Sequence, residues 1–319
     1  MKKWLFFMMA GLLAFTLSAC GASNESSGSK GEEKKEPDKK EETITIEHEY
    51  GEAKVNKNPE NVVVFDFGIL DTLDKLGIKV AGLPQATVPA YLDKYSGKDY
   101  KNLGSLKEPD FEAIDSLKPD VIFISGRQAD LYDQFAEIAP TVYVGFDYGN
   151  YMDSFKKNME TVGKIFDKET EVQAEIEDIE KQITAINEKA TSMDQKALVV
   201  LANEGKVSAY GPSSRFGLIH DVLGFKPADE KIEASSHGQG ISFEYILEKN
   251  PDILFVIDRN AALEEDATPA KETVENDLVK KTNAFKNEKI IYLDADYWYL
   301  SGGGLQSMEE MIGEVEKAF

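Results

Sequence analysis

The sequence predicts an α/β protein built from two similar lobes joined by one long helix. Three observations predict it. Phe111-Glu112-x-Ile114, Pro119-Asp120, Phe123 and Arg127 recur as Phe243-Glu244-x-Ile246, Pro251-Asp252, Phe255 and Arg259, every pair 132 residues apart with no gap. One repeat spaced at about the length of a domain means two related lobes, not a short-period solenoid. Short apolar runs also alternate with helix-spaced segments on both sides of the chain's centre, the pattern of a parallel sheet covered by helices. Between the two halves, residues 151–190 keep helical spacing with no proline and a single glycine, Gly163.

Taken in order, residues 43–55 alternate and predict an edge strand or hairpin, and Asn58-Pro59 a turn. Residues 62–65 are apolar throughout, as in a strand buried on both faces. Residues 68–76 have helical spacing and Gly77 stops them; 78–81 are expected as strand, before a loop with Pro84 and Pro89. Then come a helix at 110–118, a strand at 120–124, a helix at 129–138 and a strand at 141–144. The central stretch is expected as a single helix of about 25 residues or more, with a break near Asp167. A strand at 196–201 opens the second lobe. Its last strand, 289–293, leads into Asp294-Ala-Asp-Tyr-Trp-Tyr-Leu-Ser-Gly-Gly-Gly, a loop whose glycines cap a helix near Leu305. The expected boundaries are 43–150 for the first lobe, 151–191 for the linking helix and 192–319 for the second lobe.

The first 42 residues are read differently. Met1-Lys2-Lys3 is basic, residues 4–17 are apolar but short for a bilayer, and Leu17-Ser18-Ala19-Cys20 has the form of a lipoprotein cleavage box. Residues 1–19 are thus a signal peptide, and Cys20 the lipidated first residue of the mature chain. Cys20 is the only cysteine, so disulfides and cysteine-ligated metals are excluded. Residues 20–42 are polar and charged and read as a flexible tether. The expected location is the extracytoplasmic face of the cell membrane, held through the lipid alone, since no second segment is long and apolar enough to span.

The formal charge is −22, or −24 without Lys2 and Lys3. Such a surface repels nucleic acid and anionic lipid. An anionic ligand must then meet a local basic cluster. Of the 36 Lys and Arg, only Arg127, Arg215 and Arg259 are Arg. A chain that uses Lys for solubility keeps Arg where a planar fork must grip oxygens or stack on a ring. Arg127 and Arg259 follow the repeated strands, and ligands of open α/β sheets bind outside the carboxyl ends of strands. Arg215 sits in Tyr210-Gly-Pro-Ser-Ser-Arg-Phe-Gly, a turn that opens a helix. Lys107 is a further cation. Tyr297-Trp298-Tyr299 offers aromatic walls, with one or two of the three facing the cleft, and His237 lies in a polar loop. His48 has no evident role, and His220 is a surface or packing residue. Bare-metal ligation would need a converging set of ligands, and the three histidines are scattered. No nucleophile elbow, phosphate loop or His-Glu-x-x-His is present.

The lipobox, the paired lobes, the long linking segment and the two E-x(6)-PD motifs resemble the substrate-binding lipoproteins of ABC importers for ferric siderophores, haem and cobalamin. The likeness covers essentially the whole mature domain. It is closest to proteins for petrobactin-type catecholate siderophores in Bacillus-like organisms, carried by Val62-Val-Val-Phe-Asp-Phe-Gly, Gly104-Ser-Leu-Lys-Glu-Pro-Asp, Ser214-Arg-Phe-Gly-Leu-Ile-His, Pro251-Asp-Ile-Leu-Phe-Val-Ile-Asp-Arg and Trp298-Tyr-Leu-Ser-Gly-Gly-Gly. The resemblance implies the class III periplasmic-binding-protein fold, with two Rossmann-like lobes that move little. It implies no catalysis and no cofactor, with Fe(III) held by the siderophore rather than by protein ligands. Arg127, Arg215, Arg259, Lys107, His237, Trp298 and Tyr299 would face the ligand. Glu112 and Glu244 would dock on the permease, which works with an ATPase, and the chain would act as a monomer. Another iron chelate, haem or cobalamin remains open as the ligand.

Overall fold

The computed structural model describes residues 42–263 and 268–319. The expected signal peptide, Cys20 and nearly all of the expected tether lie outside the described residues. Residues 41–319 form one compact unit.

An antiparallel hairpin, β1 (Thr43–His48) and β2 (Gly51–Asn56), opens the described chain. The first lobe follows with β3 (Val62–Val64), α1 (Phe67–Lys75), β4 (Gly82–Leu83), β5 (Lys101–Asn102), α2 (Phe111–Leu117), β6 (Val121–Ile124), α3 (Tyr132–Ala136) and β7 (Thr141–Tyr143). Its strands form a parallel sheet in the order β5-β4-β3-β6-β7. The chain leaves β3 to opposite sides, which puts the topological switch point between β3 and β6. The strand expected at 78–81 begins later. Ala81 N–H already donates to Val62 O, but ladder pairing starts at Gly82 opposite Val63. The helix expected at 129–138 is a 3-10 turn, Gly126–Leu131, followed by the short α3.

The central stretch breaks where expected, at Asp167, into two helices, α4 (Tyr151–Phe166) and α5 (Glu169–Ser192). Asp167 stands between them in the left-handed region, φ 52°, and its carboxylate takes Lys57 Nζ at 2.6 Å and Asn58 Nδ2 at 2.5 Å. α4 packs on the first lobe: Met159 lies against Thr72, and Asn158 donates to Val144 O. α5 alone connects the lobes, and 24 helical residues reach about 36 Å.

The second lobe contains β8 (Lys196–Asn203), β9 (Lys206–Tyr210), α6 (Leu218–Asp221), β10 (Lys226–Pro227), β11 (Gln239–Ile241), α7 (Phe243–Lys249), β12 (Ile253–Asp258), α8 (Arg259–Leu263), α9 (Ala270–Val274), α10 (Asn283–Lys286), β13 (Ile290–Leu293) and α11 (Leu305–Val315). Its sheet runs β11-β9-β8-β12-β13, with β10 beside the start of β8. It is mixed: β10, β8, β12 and β13 pair in parallel, whereas β9 is antiparallel to both β8 and β11. The simple repeat of strand and helix expected here is interrupted by the β8–β9 hairpin.

The repeated motif has one structural job in both lobes. α2 and α7 each end in a left-handed residue, Lys118 and Asn250. Asp120 then accepts from the N–H groups of Glu60 and Asn61 just before β3, and Asp252 from that of Lys196, which starts β8. The Pro-Asp turn thus pins the neighbouring strand. β3, β6 and residues 253–257 are fully buried, as continuous apolar runs require. One core joins α1, α4, α5 and α11 to the inner sheet faces, and smaller cores lie on the outer faces.

Candidate functional site

The strand ends converge on a cleft of about 700 Å3. From the first lobe come Asp66 beyond β3, Ser125 and Arg127 beyond β6, and Tyr143, Phe146 and Tyr148 at and beyond β7. From the second come Arg215, Phe216, His237, Trp298, Tyr299 and Ser301.

The centre of the site is Tyr299. The segment expected as a loop is a π-helix, Asp296–Ser301, closed by Gly302 N–H to Tyr297 O at 2.7 Å. Single π turns inside helices often mark functional sites. Here the turn leaves the Tyr299 carbonyl free to accept two guanidinium groups, Arg127 Nη2 at 2.6 Å and Arg215 Nη2 at 2.6 Å. Arg127 Nη1 also reaches Leu300 O at 3.4 Å. Arg259 Nε donates to the Tyr299 hydroxyl at 2.9 Å, and its Nη1 to Asn203 Oδ1 at 2.5 Å. The three guanidinium carbons lie 5.9, 4.5 and 5.7 Å from the Tyr299 ring centre for Arg127, Arg215 and Arg259. Three cations therefore surround one phenol. Burial pushes the phenol up, but the Arg259 hydrogen bond and the three charges outweigh it and hold it below its ordinary value. Burial and the nearby Arg215 charge lower the Arg127 guanidinium, which still stays protonated.

The expected residues divide. Arg127, Arg215, Lys107, His237, Trp298 and Tyr299 line the cleft. Arg259 is not in its lining and is bonded to the Tyr299 hydroxyl and to Asn203. Trp298 borders the cleft but is 2% exposed, and its indole N–H is committed to Glu314 Oε2 at 3.0 Å, so it offers packing rather than a hydrogen bond. Tyr297 packs on Tyr91, ring centres 4.6 Å apart. Lys107 and His237 are exposed. His220 is a core residue, with Nδ1 2.8 Å from Phe225 O.

Some lining residues were not anticipated. Asp66 caps α1 through Ile69 N–H, and its carboxyl is raised by burial against that bond, Ser125 and the Arg127 charge. Tyr143 is pushed up to about 12 by burial and the nearby Glu49. Both sit at the carboxyl end of a strand, so the rule that located Arg127 was sufficient to find them.

Glu112 and Glu244 are not in the lining of the cleft and occupy the same place in each lobe. Both are exposed in the first turn of α2 and α7. The backbone N–H of Glu244 and the Ser242 hydroxyl hold its carboxylate below the ordinary value.

Residues 62–297 match the family described as periplasmic binding protein. The chain is 52% identical to the petrobactin-binding protein YclQ of Bacillus subtilis, over 99% of this chain and 98% of that one. The crystal structure of YclQ superposes with a TM-score of 0.84, covering 87% of this chain and 98% of that one. The ferric-anguibactin-binding protein FatB of Vibrio anguillarum is 36% identical over 86% of this chain and 87% of its own. The catecholate-siderophore-binding protein VctP of Vibrio cholerae superposes with a TM-score of 0.81 at 38% identity, over 86% of this chain and all of that one (100%).

Proposed function

Because the chain belongs to the periplasmic binding protein family, we propose that it is the extracytoplasmic binding component of an ABC importer and captures a ferric catecholate-type siderophore between its lobes. The observation that carries this is the convergence of Arg127, Arg215 and Arg259 on Tyr299 in the wall of the cleft. A ferric catecholate is anionic, aromatic and rich in oxygen. Guanidinium groups suit it through charge-assisted hydrogen bonds and through stacking. The site reverses, locally, the field of a chain with net charge −22. Its volume lies within the roughly 300–1,000 Å3 usual for small-ligand sites. The likeness to YclQ favours a petrobactin-like chelate. Iron arrives already chelated, so the chain supplies recognition and no catalysis, and needs no resident cofactor.

Arg127 and Arg215 hold the ligand, with Lys107 and His237 at the rim and Tyr299 as an aromatic wall. Arg259 orients Tyr299. Glu112 and Glu244 present one carboxylate per lobe to the permease, which the ATPase drives, and the protein works as a monomer.

Titration of intrinsic fluorescence with a panel of ferric siderophores, ferric citrate, haem and cobalamin tests the reading. Quenching by ferric petrobactin and related catecholates, without response to free ferric ion or haem, is the expected result. Tight haem binding with no siderophore response overturns it.

Anchoring is attributed to Cys20. Cys20→Ala is expected to abolish lipid labelling, leaving unprocessed precursor or releasing soluble protein, with the circular dichroism of the domain unchanged. Lipid incorporated into the variant refutes the assignment.

A further inference from the structure

The wall of the cleft that carries Tyr299 is held from behind by a buried carboxylate of the other lobe. α11 begins directly after Gly302-Gly303-Gly304, and its N-cap, Gly304, has no side chain to satisfy the first-turn N–H groups. α1 supplies the acceptors. Leu305 N–H donates to Thr72 Oγ1 at 3.1 Å, Gln306 N–H to Asp71 Oδ1 at 3.3 Å, and Ser307 N–H to Asp71 Oδ2 at 3.0 Å. Asp71 and Thr72 are both fully buried. The approach requires glycine: a Cβ on Gly304 would stand 2.0 Å from Asp71 Oδ1 and 2.2 Å from Gly68 O. One turn further along α1, Lys75 bridges Glu309 of α11 and Glu175 of α5, at 2.7 and 2.8 Å.

Asp71 also reaches the π-helix. Tyr91 Oη lies 3.0 Å from Asp71 Oδ2 and 2.6 Å from Ser301 Oγ. An ionised carboxylate only accepts, so Tyr91 donates to Asp71 and Ser301 donates to Tyr91. Ser301 ends the π-helix and lines the cleft. At the other end of the segment, Ala90 N–H donates to Asp296 Oδ2 at 2.7 Å. The segment is thus tied at the back by the first lobe and gripped at the front by Arg127 and Arg215.

We infer that Asp71, Tyr91 and Ser301 form a positioning relay for the cleft, fixing the Asp296–Ser301 segment so that the Tyr299 carbonyl and phenol meet the arginines. The relay rests on reading this cleft as the ligand site. Burial drives the Asp71 carboxyl up to about 7, against its bonds to Ser307, Tyr91 and Gln306. The titratable groups facing it are Tyr91 and, from α4, Tyr151, with Lys75 on its own helix. Above about 7 the carboxylate accepts from all its donors and the relay is complete; below, it carries a proton and one acceptor position is lost. The same shift makes the native state hold a proton that the unfolded chain has released. Its contribution to fold stability therefore falls as pH rises from the ordinary 3.8 to about 7.

The test uses the full chain carrying Trp4→Phe, which leaves Trp298, inside the π-helix, as the sole indole. Its emission without ligand is followed from about pH 5.5 to about 8.5, and ferric petrobactin affinity is measured at the alkaline end. The parent should show an emission transition near neutrality that Asp71→Asn removes. The comparison with Asp71→Asn separates it from titration of Glu314, which bonds the indole and is itself raised by burial, and of Asp296. Asp71→Asn and Tyr91→Phe should each bind about tenfold more weakly. Tyr91→Phe leaves the Asp71 cap on α11 in place, so a folding defect in Asp71→Asn does not remove the test. Parental affinity and a parental pH transition in both variants overturn the relay. Failure of the parent itself to bind ferric petrobactin counts against the proposed ligand, and the ligand-free emission then decides the relay alone.

Discussion

Changing Glu112 and Glu244 together to Ala is expected to stop iron uptake by cells while leaving ligand affinity at the parental level. The two carboxylates are exposed in the first turns of α2 and α7, equivalent helices of the two lobes. Neither lines the cleft. A helix N-terminus tolerates an acidic side chain there without any partner, so folding does not depend on one. A pair of equivalent charges, one per lobe, matches a permease that must engage both lobes at once. Losing both removes two charge-assisted contacts, each worth about 1.5–3 kcal/mol at a desolvated interface. Radioiron uptake and in vitro affinity of the single and double variants measure the two effects separately. Normal transport by the double variant removes the docking assignment.

The second large effect is expected at the arginines, and the structure ranks them. Arg127 and Arg215 each donate to the Tyr299 carbonyl and lie on the cleft, so Ala at either position should weaken ferric siderophore binding about tenfold to a hundredfold. Arg259 works through the Tyr299 hydroxyl and Asn203. Its loss should cost less affinity, and it should free the phenol toward its ordinary pKa. Lys at 127 or 215 should restore only part of the binding, because a point charge cannot reproduce two parallel donors. Affinity should fall with added salt, less steeply than at an exposed site, since a cleft is poorly screened. Six variants, three to Ala and three to Lys, decide this by affinity. Binding by all six like the parent protein would leave the arginines as braces of the Asp296–Ser301 segment with no part in binding.

Much of the site was legible because its determinants are local. Arg127 and Arg259 follow apolar runs whose identity as strands needs no partner to be recognised. The Pro-Asp turns, the helix stop at Gly77 and the start of α11 at Leu305 all reflect backbone preferences of a few residues. The break near Asp167 was legible too; what the sequence did not show is that the Asp167 carboxylate there holds Lys57 and Asn58, over a hundred residues earlier. The strand expected at 78–81 begins later because its ladder forms only where β3 offers a partner.

The sequence by itself determined the class of the protein: two related α/β lobes and an acidic surface with three reserved arginines. Composition, repeat spacing and strand-end rules carry that much, because they act within a few residues or across the chain as a whole. Only the tertiary structure decided where the charges meet. It turned a Tyr-Trp-Tyr loop into a π-helix, gave its carbonyl to two arginines and its phenol to a third, and buried the tryptophan. It also placed Asp71 of the first lobe on the N-terminus of the last long helix. The arginine and Asp71 contacts join groups about forty or more residues apart in sequence within about 3 Å, and no local preference encodes such a meeting.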